Sequence, residues 1–123
     1  MADDLNLSDL SMYYGTEQYH QIAPSIKTVG TDGILYIMNN GYSRFVTDTL
    51  IRAEDMIKTK KISDEESEFL VFKLHLNTKN QASVTIEDGN NKVFHKQKYE
   101  YTNAKKELVL FLTGGVLMLS NEY

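Results

Sequence analysis

The chain has 123 residues, 41% of them hydrophobic and 11% aromatic, with a net charge of −4. That is one domain's worth of chain with enough apolar material for a core, so wholesale disorder is excluded, and no apolar stretch approaches the roughly 18 residues of a membrane span. Cysteine is absent, which removes disulfides, thiolate metal sites and cysteine nucleophiles together.

The chain divides by pattern: residues 7–61 carry helical spacing and residues 68–119 carry strand alternation, within a single domain spanning 1–123. A first helix is expected over Ser8–Tyr14, capped by Asn6 or Ser8 and stopped by Gly15. Thr16–Ile22 reads as a second short helical turn, ended by Pro24. Thr31-Asp32-Gly33 supplies cap residues for an apolar stripe of Ile34, Leu35, Ile37 and Met38 that stops at Asn40-Gly41. The longest helix begins near Ser43, with Phe45, Val46, Leu50, Ala53, Met56 and Ile57 on one face and Arg44, Asp48, Arg52 and Asp55 on another. Lys58 to Glu68 is a charged connector, basic and then acidic.

In Glu68–Asn77, Leu70, Phe72, Leu74 and Leu76 alternate with Phe69, Val71, Lys73 and His75, the period of a half-buried strand. Ala82, Val84 and Ile86 repeat it, Asp88-Gly-Asn-Asn91 makes a turn, and Lys92–Tyr101 is the next strand. Glu107–Leu112 and Val116–Leu119 follow, joined through Thr113-Gly-Gly115. The predicted fold is α+β, with N-terminal helices packed on one face of a C-terminal antiparallel sheet of about five strands in a meander.

The chemistry-bearing residues assemble into no catalytic set. The histidines His20, His75 and His95 lack metalloprotease spacing, Asp88 reads as a turn residue, and Asp64-Glu65-Glu66 reads as a solvated loop. No catalytic, cofactor or metal residue is therefore predicted. Two alternatives stay open: a small metal-dependent hydrolase using carboxylates with His75 or His95, and a nucleic-acid-binding regulator with Lys92, Lys96, Lys98, Lys105 and Lys106 on one face. The acidic balance and just two arginines, Arg44 and Arg52, count against direct nucleic-acid binding and suit a protein partner with a basic surface.

Eight tyrosines without tryptophan are the most informative excess. Tyr36 and Tyr42 share the apolar faces of their helices. Tyr13 and Tyr14 are adjacent, so on a helix their rings point about 100° apart and cannot enter one core. One exposed ring beside Glu17 would anchor a partner next to negative charge, which makes Asp9, Tyr13, Tyr14, Glu17 and Tyr19 the expected partner-binding residues.

Leu10-Ser-Met-Tyr-Tyr-Gly-Thr-Glu-Gln-Tyr19, Thr31-Asp-Gly-Ile-Leu-Tyr36, Asp88-Gly-Asn90 and the ending Gly115-Val-Leu-Met-Leu-Ser-Asn-Glu-Tyr123 occur in that order. Together with Tyr42…Asp48, Phe72-Lys-Leu74 and Tyr101-Thr102, they resemble a family of short bacterial, plasmid and phage proteins known only as a domain of unknown function. The resemblance covers nearly the whole chain and brings no reaction and no cofactor. It implies a phage or mobile-element context, where small acidic domains often inhibit host nucleic-acid machinery. The expected function is accordingly a non-enzymatic protein-binding module, an anti-defence inhibitor of the anti-CRISPR kind that blocks a basic nucleic-acid-binding surface of a host protein. With an acidic, polar N-terminus unlike a signal peptide and no cysteine, the expected location is the host cytoplasm, away from membranes. An open sheet edge allows a homodimer.

Overall fold

The computed structural model describes residues 18–77, 79–100, 102, 104 and 106–123. The expected first helix over Ser8–Tyr14 lies outside them. Seven strands form one mixed sheet: β1 His20–Gln21, β2 Val29–Gly30, β3 Phe69–Leu76, β4 Ala82–Glu87, β5 Val93–Tyr99, β6 Leu108–Thr113 and β7 Val116–Leu119. Their order across the sheet is β1-β2-β7-β6-β3-β4-β5, antiparallel except where β2 runs parallel to β7. Among the described residues two α-helices, α1 Asp32–Ile37 and α2 Ser43–Lys58, supply the other layer.

Alternation in β3 decides which face the helices cover. Leu70, Phe72 and Leu74 are buried with Val84, Ile86, Leu110 and Leu112 against Val46, Leu50 and Ala53 of α2. The opposite parity, Phe69, Val71, Lys73 and His75, then belongs to an outer face on which no helix of the described residues packs. The apolar spacing of α2 fits this one-sided burial, since Phe45, Val46, Thr49, Leu50, Ala53 and Met56 are its buried residues.

The sheet corrects the expected five-strand meander. After the β3–β4–β5 run the chain doubles back, so β6 pairs with β3 on the side away from β4. That is a Greek key in spatial order β6-β3-β4-β5, not a meander. The crossing segment is tied twice: Thr102 N–H donates to the Asn80 carbonyl at 2.8 Å, and the buried Tyr42 hydroxyl bonds both backbone groups of Lys106. Thr16–Ile22 is also corrected where it is described. His20–Gln21 is extended and pairs with Val29–Gly30 across a turn in which Ile26 N–H donates to the Ala23 carbonyl at 3.0 Å. The partner strand is fixed by β7, so long-range pairing overrides the local helical pattern.

The helices follow the sequence more closely. Thr31 caps α1, accepting from Ile34 N–H at 3.3 Å, though Leu35 of the expected stripe is exposed. Asn40 and Gly41 break the helical path before α2, and Gly41 adopts φ 97°, which a residue with a Cβ takes up only with strain. The far end of the chain returns to close α1. Glu122 accepts from the Thr31 hydroxyl at 2.6 Å, from Leu119 N–H at 2.9 Å and from Gly33 N–H at 3.3 Å. Among the described residues the sheet edges are β1 and β5. Lys96 and Lys98 alternate along β5, and pairing two copies about Gln97 would set these lysines against each other.

Tyr42→Phe keeps the ring and strands the Lys106 amide and carbonyl. It is expected to lower stability by about 1–3 kcal/mol, read as a reduced urea midpoint at unchanged m. A midpoint equal to that of the parent chain would show that the hydroxyl does not hold the crossing.

Candidate functional site: the outer face of the sheet

The outer face is two-ended. At one end, β3 brings Phe69 and β6 brings Phe111, and the C-terminal Tyr123 closes onto both. Ring centroids lie 5.2 Å apart for Phe69–Phe111, 5.5 Å for Phe69–Tyr123 and 5.4 Å for Phe111–Tyr123, in tilted and edge-to-face geometries. Met118 stands opposite Phe111 in the ladder, and Val71 stands opposite it on the other side. Tyr123 is 74% exposed, so the cluster presents a ring to solvent.

The rim of this cluster is acidic. The segment Asp64-Glu-Glu-Ser-Glu68 runs directly into Phe69. Ser63 and Glu66 form a reciprocal cap there, with Glu66 N–H donating to Ser63 Oγ at 3.0 Å and Ser63 N–H donating to Glu66 Oε1 at 2.9 Å. Lys92 donates to Glu66 at 2.6 Å, and its hydrogen bond, followed by that of Ser63 N–H, holds the Glu66 carboxyl down at about 2. Lys60 pairs with Asp64 at 2.9 Å. Glu65 and Glu68 have no ion-pair partner among the described residues and are exposed. The β4–β5 turn borders the same rings: a Cβ on Gly89 would stand 3.4 Å from Phe69 Cε2.

Toward the other end the face turns polar and then basic. Lys73 pairs with Glu87 at 3.2 Å, and the Thr85 hydroxyl donates to Glu87 at 2.7 Å. Burial pushes the Glu87 carboxyl up, but Thr85 and Lys73 outweigh it, leaving Glu87 below its ordinary value. Lys96 stands opposite Thr85, and beyond them lie His75, Ser83 and Lys98.

Of the expected partner-binding residues, Tyr19 is 63% exposed, whereas Asp9, Tyr13, Tyr14 and Glu17 lie outside the described residues. His75 and His95 do not share a site. His75 opposes Ser83 on the outer face, and His95 opposes Ile86 on the helix face, with β4 between their strands. No group of three potential metal-ligating side chains converges among the described residues. Asp88 takes up its turn, accepting from Asn90 N–H at 2.6 Å and Lys92 N–H at 3.1 Å. Of the lysines a nucleic-acid regulator would gather, Lys96 and Lys98 share the outer face, Lys92 is committed to Glu66, and Lys105 lies outside the described residues.

On the helix face at β5, Tyr99 donates to Asp48 at 3.3 Å under Arg44, whose guanidinium sits 5.6 Å from the ring centroid. Burial and the Asp48 carboxylate push the Tyr99 hydroxyl up to about 12. Further along the same face of β5, His95 Nε2 is buried and has no hydrogen-bond partner among the described residues. Burial, reinforced by Arg52, holds His95 below its ordinary value. This surface is a structural seam joining α2 to the edge strand.

The sequence profile of DUF6876, a family of unknown function, matches residues 4–123. The chain belongs to that family. It matches no curated protein and no solved structure. No helix among the described residues is long and apolar enough to cross a membrane. The ring cluster was half visible in sequence: strand parity separates Phe69 from Leu70 and Phe72, but Tyr123 lies beyond the last alternating pair and carried no signal.

His95 gives a pH test of the seam. Its folded pKa is depressed, so on acidification the unfolded chain takes up the proton first, and stability present above about pH 6.5 is lost as pH falls through that value. The melting temperature of the parent chain is expected to fall more between pH 7.5 and 5.5 than that of His95→Gln. Parallel curves for the two proteins would show that His95 does not carry the effect.

Proposed function

We propose that the chain is a non-enzymatic protein-binding module, and that the aromatic end of the outer face is the surface that docks. The observation that carries this is the Phe69–Phe111–Tyr123 cluster on a sheet face that no helix of the described residues covers, with one ring largely exposed and the exposed Glu65 and Glu68 just before Phe69 in the chain. Aromatic rings supply rigid, amphipathic contact area at low entropic cost and are enriched at binding hot spots. Carboxylates around them steer toward a basic, partly apolar groove and penalise acidic partners.

A basic groove of that kind on a host protein commonly serves to hold nucleic acid. The proposal therefore extends to an inhibitory role carried by a phage or mobile element, with the chain covering such a groove on a host defence protein in the manner of an anti-CRISPR. The net charge of −4 supports that reading, since it opposes direct competition for the nucleic acid itself.

Capture from a bacterial host lysate, quantified by mass spectrometry, tests it with Tyr123→Ala beside the parent chain. Loss of one exposed anchor is expected to cost about 2 kcal/mol, roughly a 30-fold drop in affinity for the captured partner, at an unchanged melting temperature. Glu65→Lys with Glu68→Lys should weaken the same partner and flatten its loss in salt, because the attraction that salt screens is gone. Equal capture by all three proteins would place the docking surface elsewhere.

A further inference from the structure

We propose that the basic end of the outer face is an anion site for a phosphate-type dianion, separate from the aromatic end and resting on different residues. The sheet register builds it. Lys98 stands opposite Ser83, and Ser83 stands opposite His75, so three strands present one straight row of an ammonium, a hydroxyl and an imidazole. Lys96 lies on the same face one step along β5, opposite Thr85. All four line one hollow of about 240 Å³ at the β3–β4 end of the sheet. That space is several times the roughly 30 Å³ share of one water, so it accepts a tetrahedral oxyanion with part of its hydration.

The pairing of the lysines distinguishes this hollow from the rest of the face. Lys73 is neutralised by Glu87, Lys92 by Glu66 and Lys60 by Asp64. Lys96 and Lys98 have no carboxylate partner among the described residues, although their side chains flank the same concavity. Neighbouring groups are already engaged: Glu87 is taken by Lys73 and Thr85, and Glu107 accepts the Leu76 N–H at 2.9 Å. Asn77 is held by Gln81 at 2.8 Å. Glu100 also lines the hollow and offsets one of the two ammonium charges, which weakens the site; a dianion that meets both lysines still gains more from them than a monoanion. A phosphate has the acceptor oxygens to take two ammonium donors and the Ser83 hydroxyl together.

Two sources share this chemistry, free phosphate and a small phosphomonoester. Amide-resolved NMR titration of the full chain at low ionic strength, with inorganic phosphate in one arm and adenosine 5′-monophosphate in the other, tests the site. Saturable shifts are expected around residues 75, 81–83 and 96–98, with a dissociation constant on the order of 1–10 mM. Matched additions of chloride should give no saturation. Tighter binding of the monophosphate by tenfold or more assigns the phosphomonoester, and equal binding assigns the free ion. The double variant Lys96→Ala/Lys98→Ala should abolish saturation, and Ser83→Ala should weaken it several-fold. The double variant Lys58→Ala/Lys61→Ala has the same net charge and should leave binding unchanged. Linear, dispersed shifts in the parent chain, or equal weakening by both double variants, would overturn the proposal.

Discussion

One-sided burial of β3 is the constraint from which the rest of the architecture follows. The strand is central in the Greek key, flanked by β4 and β6, and its Leu70, Phe72 and Leu74 lie under α2 with almost no exposure. Burying side chains of this size contributes on the order of 1.5–3 kcal/mol each, so the register is fixed by the helix layer. A slip of one residue would bring Lys73 and His75 into the core and expel Phe72. Once that parity is set, Phe69, Val71, Lys73 and His75 have only the other face to occupy, and the neighbouring strands inherit the division through the ladder.

The two faces are held by different means. The helix face is an apolar core with polar seams at its margins, where Tyr42 grips the crossing segment and Glu122 closes the start of α1. The outer face is held by local pairs: rings at one end, the Lys73–Glu87–Thr85 group in the middle. Among the described residues no helix covers that face; its middle, at Val71, Thr85 and Glu87, is nonetheless buried, and its two ends are the exposed parts. Its charge also changes sign along the strands, from Glu65 and Glu68 beside the rings to Lys96 and Lys98 at the far end, so one platform offers two chemically distinct surfaces.

Much of this was legible in the residues, for identifiable reasons. The spacing of α2 and the alternation of β3, β4 and β6 are local patterns long enough to outweigh noise, and the parity that assigns Phe69 and Lys73 to one side is read directly from them. Thr31 as a cap and Asp88 as a turn residue were legible because each acts on its own backbone. The strands β1 and β2 were not, since two residues carry no period and their pairing depends on β7, nearly ninety positions from β2. The Greek key was hidden because strand order is decided by non-local packing, here by Tyr42 and Asn80 holding a crossing segment that resembles an ordinary loop. As for the site, tyrosine content pointed to the helical half, whereas the ring cluster draws on two phenylalanines from separate strands and on the final residue.

If the outer face docks a partner, it must be open in the free chain while the opposite face is sealed by helices. Solvent relaxation enhancement by a neutral soluble gadolinium chelate, read on aromatic and methyl signals of the free chain, measures this directly. Strong attenuation is expected for Tyr123, Val109 and the accessible edges of Phe69 and Phe111, with little for Phe72, Leu50 and Leu110. Protection of Tyr123 and Val109 to the level of Phe72 would mean that the face is covered in solution and not free to dock a partner.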